Sequence, residues 1–137
     1  DEISVRLESN EEVVSLPLSA NAYLDLENAT SQEPTSKELT HESFKEDANI
    51  YMVKSGTKTI LTDRTENVEV HLDNREMEYV GIWSPYPARG GFVCLEPWAG
   101  ITDTENATGL FEEKYAMNVL SEEEQRVHSY TLEFKKD

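Results

Sequence analysis

The stretch Val68-Glu69-Val70-His71-Leu72-Asp73 alternates between apolar and polar residues without a break, and this pattern decides the fold class. A period of two places one set of side chains on a buried face and the other in solvent, as in a half-buried β-strand. The same alternation occurs in residues 3–8, 13–18 and 128–134. About nine short strands of this kind, with no long helix, predict an all-β fold, an antiparallel β-sandwich.

The segments that precede this stretch are separated by turn signals. Residues 50–53 and 59–62 are predicted strands, and Lys54-Ser55-Gly56-Thr57 between them predicts a hairpin-like turn. Residues 39–45 predict a helical turn, and Thr40 suits its N-cap position because its hydroxyl can accept from a free backbone N–H.

Loops are predicted where turn residues cluster. Residues 84–91 contain two prolines and two glycines, so they predict a loop between the apolar runs 79–83 and 92–95. Residues 23–26 predict the start of another strand, and the polar stretch 27–38 predicts a loop.

The composition excludes several classes of partner. The formal net charge is −16, so the surface repels DNA, RNA and anionic membranes, whose binding needs clustered Lys and Arg; solubility is the simplest explanation of this charge. No apolar run approaches the roughly 20 residues of a membrane span. The single cysteine, Cys94, cannot form an internal disulfide, which favours a cytoplasmic location.

The run Phe92-Val93-Cys94-Leu95-Glu96-Pro97-Trp98-Ala99-Gly100 contains the candidate chemistry. Pro97 has no N–H to donate, so the strand ladder is expected to stop there, with Glu96 at the strand end. Between Leu95 and Trp98, the Glu96 carboxylate can lie in a partly apolar cleft, where desolvation raises its pKa towards that of a useful base. The flat face of Trp98 suits the C–H side of a sugar ring. The alternative is an ordinary solvent-exposed glutamate.

The same region resembles the aldose 1-epimerase (galactose mutarotase) family. The matching pieces are Trp83-Ser84-Pro85-Tyr86, Phe92 to Asp103, Gly109, Glu113-Lys114, Leu120 and Ser129-Tyr130-Thr131-Leu132. The likeness is greatest to the galactose mutarotase-related branch, in which Glu-Pro-Trp stands where classical mutarotases have Glu-Thr-Gln. It covers roughly residues 39–134 and corresponds to the C-terminal part of the family.

The resemblance implies a galactose mutarotase-like supersandwich with the sugar lying across a cleft on one sheet. It also implies an isomerase that interconverts the α and β anomers of an aldohexose, with Glu96 as the catalytic base. A histidine of the family protonates the ring oxygen, the ring opens, and rotation about C1–C2 precedes closure. Neither a metal nor an organic cofactor is needed, and the partner is the sugar, with no nucleic acid and no membrane.

A second residue can be carried over on the same basis. The segment Leu39 to Ile50 resembles the family segment in which an aspartate just before an apolar strand binds sugar hydroxyls, and Asp47 fits that place. Asp47 and Trp98 are therefore the predicted substrate-binding residues, although Asp47 also suits an ordinary turn. His41, His71 and His128 lie outside any family motif and are interpreted as surface histidines.

One family motif is missing. The catalytic histidine of the family lies in a Gly-x-His-Pro-x-Phe stretch, but Leu16-Pro17-Leu18-Ser19 is followed here by Ala20-Asn21-Ala22-Tyr23. The chain thus carries the base and lacks the acid, and it is about half the length expected of the whole sandwich. We expect residues 1–137 to form a single sandwich domain that is incomplete at its N-terminal side, with a missing N-terminal half or a second chain as its partner. Such a half-sandwich would expose a sheet face and edges.

Three functions are therefore open: a mutarotase-type epimerase, a non-catalytic carbohydrate-binding β-sandwich protein, and an acidic structural β-domain without a ligand. The missing histidine favours the second for this chain as it stands, whereas the parent protein is predicted to be an epimerase. Phosphorylated sugars are not expected as substrates, because Arg89 is alone in its loop and no basic cluster accompanies the site.

Overall fold

The computed structural model describes residues 2–137. Ten strands follow one another along these residues: β1 (Ile3–Glu8), β2 (Val13–Ser15), β3 (Thr30–Gln32), β4 (Ser36–Leu39), β5 (Asn49–Met52), β6 (Lys58–Asp63), β7 (Val68–Asp73), β8 (Tyr79–Trp83), β9 (Cys94–Trp98) and β10 (Thr131–Lys136). They form two five-stranded antiparallel sheets. The first sheet has the order β10-β7-β6-β1-β4, and the second has the order β3-β2-β5-β8-β9. The predicted all-β antiparallel sandwich is confirmed.

The main core lies between the two sheets, because alternation turns the apolar set of each strand towards the other sheet. From the first sheet, Val5, Leu7 and Leu72 are buried in it, and from the second sheet Val80 and Ile82 are fully buried. Each such side chain contributes roughly 1.5–3 kcal/mol on leaving water, so this interface stabilises the fold.

A smaller apolar cluster lies on the opposite, outer face of the second sheet. It contains Leu16, Leu24, Ile50, Tyr79 and Ile101. Two chain segments cover this face, one from Leu16 to Leu24 and one that contains Ile101 and Asp103. They are joined by the Leu24 N–H, which donates to the Asp103 carbonyl at 2.8 Å. This outer face of the second sheet carries the candidate site described below.

The predicted loop at residues 27–38 is wrong, because it contains β3 and β4. These are edge strands, one in each sheet, so they form hydrogen bonds on one side only and need little apolar surface. The predicted strand start at residues 23–26 is also wrong. Leu24 forms isolated bridges to Leu18 and Thr104, and a short 3-10 helix occupies Leu26–Asn28.

The predicted end of the ladder at Pro97 is wrong as well. Strand β9 continues to Trp98, and Pro97 is paired with Val80 of β8. The proline is tolerated because β9 is the edge strand of the second sheet, where a missing N–H breaks no ladder on the free side. Glu96 therefore lies inside a strand and not at its end. Its neighbours in the chain, Leu95 and Pro97, are both paired with β8, and this pairing fixes the backbone before and after Glu96.

Most other local predictions are confirmed. A 3-10 helix occupies His41–Phe44 directly after Thr40, whose backbone N–H donates to the Ser43 hydroxyl at 3.0 Å. Residues 84–91 contain no strand, as predicted. A turn does form at residues 54–57, where the Thr57 N–H donates to the Lys54 carbonyl, but the predicted hairpin is wrong, because β5 lies in the second sheet and β6 in the first. Within residues 2–137, no helix is long and apolar enough to cross a membrane.

Candidate functional site

Strands β8 and β9 build the floor of the candidate site through their register. Gly81 is paired with Glu96, and Tyr79 with Trp98, so the Glu96 and Trp98 side chains leave the sheet on the same face. A Cβ on Gly81 would lie 2.7 Å from Trp98 Cζ2 and 3.2 Å from Glu96 Oε2. The bare Gly81 backbone thus provides the space in which the indole ring and the carboxylate approach the sheet.

Asp47 reaches the site from the segment before β5. It follows the His41–Phe44 helix with a φ of 78°, a left-handed conformation that is uncommon for a residue other than glycine. Its carboxylate accepts a hydrogen bond from the Ala48 N–H at 2.8 Å, and its own N–H donates to the Phe44 carbonyl at 3.1 Å. These bonds hold the chain in the bend that presents the carboxylate.

The three predicted site residues, Glu96, Asp47 and Trp98, line one cleft of about 770 Å³ on the outer face of the second sheet. Hereafter "the cleft" means this hollow. Its other walls come from both covering segments and the ends of β5 and β8, and comprise Leu18, Ala22, Ala48, Ile50, Trp83, Gly100, Ile101, Thr102 and Lys114. Both tryptophans of the chain are in this wall.

The electrostatics of the cleft favour a basic glutamate. Burial raises the pKa of Glu96, and the nearby negative charge of Asp47 raises it further. The pKa of Cys94, two residues earlier on β9, is also raised, first by burial and then by the Glu96 charge. A carboxylate that holds a proton more tightly when it accepts one is a stronger base than an exposed glutamate.

Lys114 is the one basic side chain among the residues that line the cleft. Its ammonium donates to the Ile101 carbonyl and, at 3.2 Å, to the Tyr115 carbonyl. The bond to the Ile101 carbonyl ties Lys114 to the segment that follows β9. In the sequence, Lys114 stands out only as part of the family resemblance.

Two further residues shape the cleft and were not predicted as site residues: Trp83 lines it, and Gly81 lies against Trp98 and Glu96. Trp83 was noted as part of the resemblance but not as a wall of the site. Gly81 was overlooked, although a glycine inside an apolar strand is itself a signal for a close approach of another group.

None of the three histidines within the described residues lines the cleft. The His41 ring packs on Tyr86, with 4.7 Å between the ring centroids. His71 lies in β7 of the first sheet, with its Nε2 2.8 Å from the Glu69 carboxylate, and His128 lies in the exposed C-terminal segment. Over residues 2–137, no group of three or more His, Cys, Asp and Glu side chains is arranged to hold a metal ion.

A larger hollow of about 990 Å³ lies elsewhere, beside the turn after β1 and the turn before β6. Its lining consists of turn residues such as Asn10, Pro34 and Gly56, together with Leu7 and charged side chains, and it includes no aromatic ring. Because it offers no aromatic stacking surface, we interpret it as a gap between the turns that connect the two sheets and not as a candidate site.

Comparisons with known proteins gave one similar solved structure. No protein-family model matches the chain, and no curated protein matches it. Among solved structures, the chain is similar to a galactose mutarotase related enzyme from Lactobacillus acidophilus, with 31% sequence identity and a TM-score of 0.79. The match covers 97% of this chain and 43% of that protein, so the chain spans less than half of its length.

Proposed function

We propose that the chain belongs to the aldose 1-epimerase family, in its galactose mutarotase-related branch and as a C-terminal part of it. The proposed activity is the interconversion of the α and β anomers of an aldohexose. The observation that carries the proposal is the meeting of the Glu96 and Asp47 carboxylates with Trp98 in one cleft, in a chain similar to a mutarotase-related enzyme.

The chemistry of the cleft suits a neutral sugar. Trp98 and Trp83 supply aromatic faces for the apolar C–H side of a pyranose ring, and the Asp47 carboxylate can accept hydrogen bonds from hydroxyl groups. The two carboxylates and the single lysine leave the cleft without a basic cluster, which disfavours phosphorylated substrates.

In the proposed mechanism, Glu96 removes the proton from the anomeric hydroxyl. The electron pair of that O–H bond forms the C1 carbonyl, the bond between C1 and the ring oxygen breaks, and the ring oxygen takes up a proton. After rotation about C1–C2, the reverse steps close the ring on the other face and return the proton from Glu96. The raised pKa of Glu96 makes its carboxylate a stronger base for the removal of the anomeric proton.

The donor of the proton to the ring oxygen is assigned to a part of the protein outside residues 2–137. No histidine lines the cleft, and the Lys114 ammonium already donates to two backbone carbonyls. A longer protein is also supported by the similar enzyme, more than half of which has no counterpart in this chain.

The exposed apolar side chains of the C-terminal segment indicate where such a part would pack. Leu132 and Phe134 of β10 stand opposite Leu72 and Val70 of β7, on the face that forms the core further along the sheet, yet they are 42% and 71% exposed. We propose that further strands of a mutarotase-like sandwich cover this face, and that residues 1–137 form one domain with them, incomplete at its N-terminal side. A cytoplasmic location is part of the same proposal, because Cys94 offers no disulfide.

The test is anomeric exchange of glucose and galactose, measured by magnetisation-transfer NMR with the chain and with Glu96→Gln. Because the proposed acid lies outside residues 2–137, we expect the chain to accelerate exchange through its base alone, by about 100- to 10,000-fold at most, and Glu96→Gln to abolish this gain. Glu122→Gln, at an exposed turn residue that does not line the cleft, is the matched control and should retain the rate. Equal rates for Glu96→Gln and the control would refute the assigned base.

A second function, sugar binding without turnover, is favoured by one observation, the lack of a histidine in the cleft. Because both tryptophans line the cleft, their fluorescence should respond to a bound sugar even when no exchange occurs. A fluorescence change without exchange would support the binding protein. If the sugar changes neither the fluorescence nor the exchange rate, the third function, an acidic structural β-domain without a ligand, is supported.

A further inference from the structure

Strand β10 has an open edge. It ends the first sheet and pairs with β7 along its whole length, and within residues 2–137 no strand pairs with its other side. An open edge presents backbone N–H and C=O groups that a further strand can bind. The further strands proposed above cover the face of β10, so the edge is a separate surface.

The two faces of β10 differ in chemistry. Leu132 and Phe134 lie on the face that continues the core, while Glu133 and Lys135 lie on the outer face. Residues 131–137 carry two acidic and two basic side chains, so their formal charge is zero in a chain whose formal net charge is −16. Two copies of this acidic chain therefore repel each other least where these residues meet.

One antiparallel register of β10 against itself suits both faces. Opposite residues of an antiparallel pair point to the same face, so the two-fold axis must pass through a residue. With the axis at Phe134, the two phenyl rings stand side by side, and Glu133 of each copy stands opposite Lys135 of the other. The only other axis that pairs as much of the strand passes through Glu133, and it sets two glutamates directly opposite each other.

We propose that the β10 edge binds a second copy of this chain, in an antiparallel two-fold pair centred on Phe134. Aromatic pairs and opposite-charge pairs across two strands are both stabilising, and the two-fold axis closes the assembly at two copies. The cleft lies on the second sheet, so this inference is independent of the proposed function. Because pairing depends on concentration, the dilute chain is a monomer in which β10 keeps the exposure described above.

The first experiment is analytical ultracentrifugation over a range of concentrations. We expect a monomer–dimer equilibrium for the unmodified chain. Glu133→Lys sets two lysine pairs across the axis, and Lys135→Glu sets two glutamate pairs, so each variant should raise the dissociation constant about tenfold or more. Glu122→Lys makes the same change of charge at an exposed residue outside β10, and it should leave the dissociation constant unchanged.

A mixture of the two β10 variants separates pairing between copies from an effect within one copy. Glu133 and Lys135 also form an ion pair within the strand, at 3.5 Å, which each variant removes. Mixing cannot restore that pair. In a mixed dimer, however, the lysines of one variant stand opposite the glutamates of the other, so the equimolar mixture should dimerise although each variant alone does not.

The second experiment tests the position of the axis by disulfide formation, with Cys94→Ser as the background because Cys94 is the native cysteine. Phe134→Cys places two Cα atoms about 4.5–5.5 Å apart, within the range of a disulfide, and oxidation should give a covalent dimer. Leu132→Cys is the matched control. Its two Cα atoms would lie roughly 13 Å apart along the strands, so it should stay uncrosslinked.

Three results would overturn the inference. The first is a chain that is monomeric at every concentration, which would leave the edge to another part of a longer protein. The second is a dimer that neither Glu133→Lys nor Lys135→Glu weakens, and the third is equal crosslinking of the two cysteine variants. A dimer that each charge variant breaks, that the mixture restores and that Phe134→Cys traps would support it.

Discussion

Strands β8 and β10 show how differently two paired strands of this protein are packed. Strand β8 pairs with β5 on one side and β9 on the other, and β10 pairs with β7 along its whole length. In β8, Val80 and Ile82 are fully buried, whereas every residue of β10 is exposed. Backbone pairing therefore reaches the C-terminal end of the chain, while the hydrophobic core does not.

This difference shows that the backbone hydrogen bonds of a sheet and the burial of its side chains contribute separately to stability. A backbone hydrogen bond that replaces a bond to water contributes only about 1 kcal/mol net. Burial of an apolar side chain contributes more, and β10 lacks it among the described residues. We therefore expect β8 to open only at a high free energy, and β10 to open locally at a much lower one.

The largest effect should come from truncating the core under the cleft. Ile82→Ala removes a fully buried side chain and should lower the free energy of unfolding by about 2–5 kcal/mol, through lost transfer energy and the cavity left behind. Phe134→Ala, at a 71% exposed position, should change it by no more than about 0.5 kcal/mol. Urea unfolding followed by circular dichroism measures both, and similar losses for the two variants would abolish the contrast between β8 and β10.

An intermediate effect is expected at the floor of the cleft. Gly81→Ala places a methyl group 2.7 Å from the Trp98 ring, so it should cost about 1–3 kcal/mol of stability and displace both Trp98 and Glu96. Sugar-induced tryptophan fluorescence and anomeric exchange should fall together. Gly91→Ala is the matched control, since a Cβ there meets nothing within 4 Å, and it should leave all three measurements unchanged. A Gly81→Ala protein that behaves like this control would contradict the assigned close packing.

The smallest effect should be a gain in stability at the site itself. The pKa of Glu96 is raised in the folded state, so the protonated form is favoured there, and the stabilisation is complete below the usual glutamate pKa and lost as pH rises through the raised one. At neutral pH, where this stabilisation is lost, Glu96→Gln should therefore unfold at a slightly higher temperature than the unmodified chain. Because Glu96 is only partly buried and water screens its charge, we expect a gain of no more than roughly 0.5 kcal/mol.

The pH dependence provides the check. The advantage of Glu96→Gln over the unmodified chain should disappear in acid, and thermal unfolding at several pH values would follow it. Asp47→Asn should reduce the same advantage, because the Asp47 charge is the second cause of the raised pKa, after burial. A loss of stability in Glu96→Gln at neutral pH would mean that the ionised carboxylate is favoured by the fold, against this assignment.

The fold class was accessible from the sequence because the alternation in strands such as β1 and β7 is a local property. The edge strands β3 and β4 were missed for the same reason. They have few apolar residues, and their existence depends on neighbours that lie far away in the sequence, such as β1 for β4 and β2 for β3. A polar strand that is paired on one side only has the same local sequence pattern as a loop, so the pattern cannot distinguish the two.

Within the candidate site, the sequence by itself determined the residue types: a glutamate next to proline and tryptophan, and an aspartate before an apolar strand. Their roles as base and sugar ligands stay predictions until exchange is measured. Only the tertiary structure decided that Glu96, Asp47 and Trp98 line one cleft on the outer face of the second sheet, and that Gly81 makes room for Glu96 and Trp98. The physical reason is that convergence depends on strand order and register across the sheet, which are set by packing between distant segments and leave no mark in a local pattern.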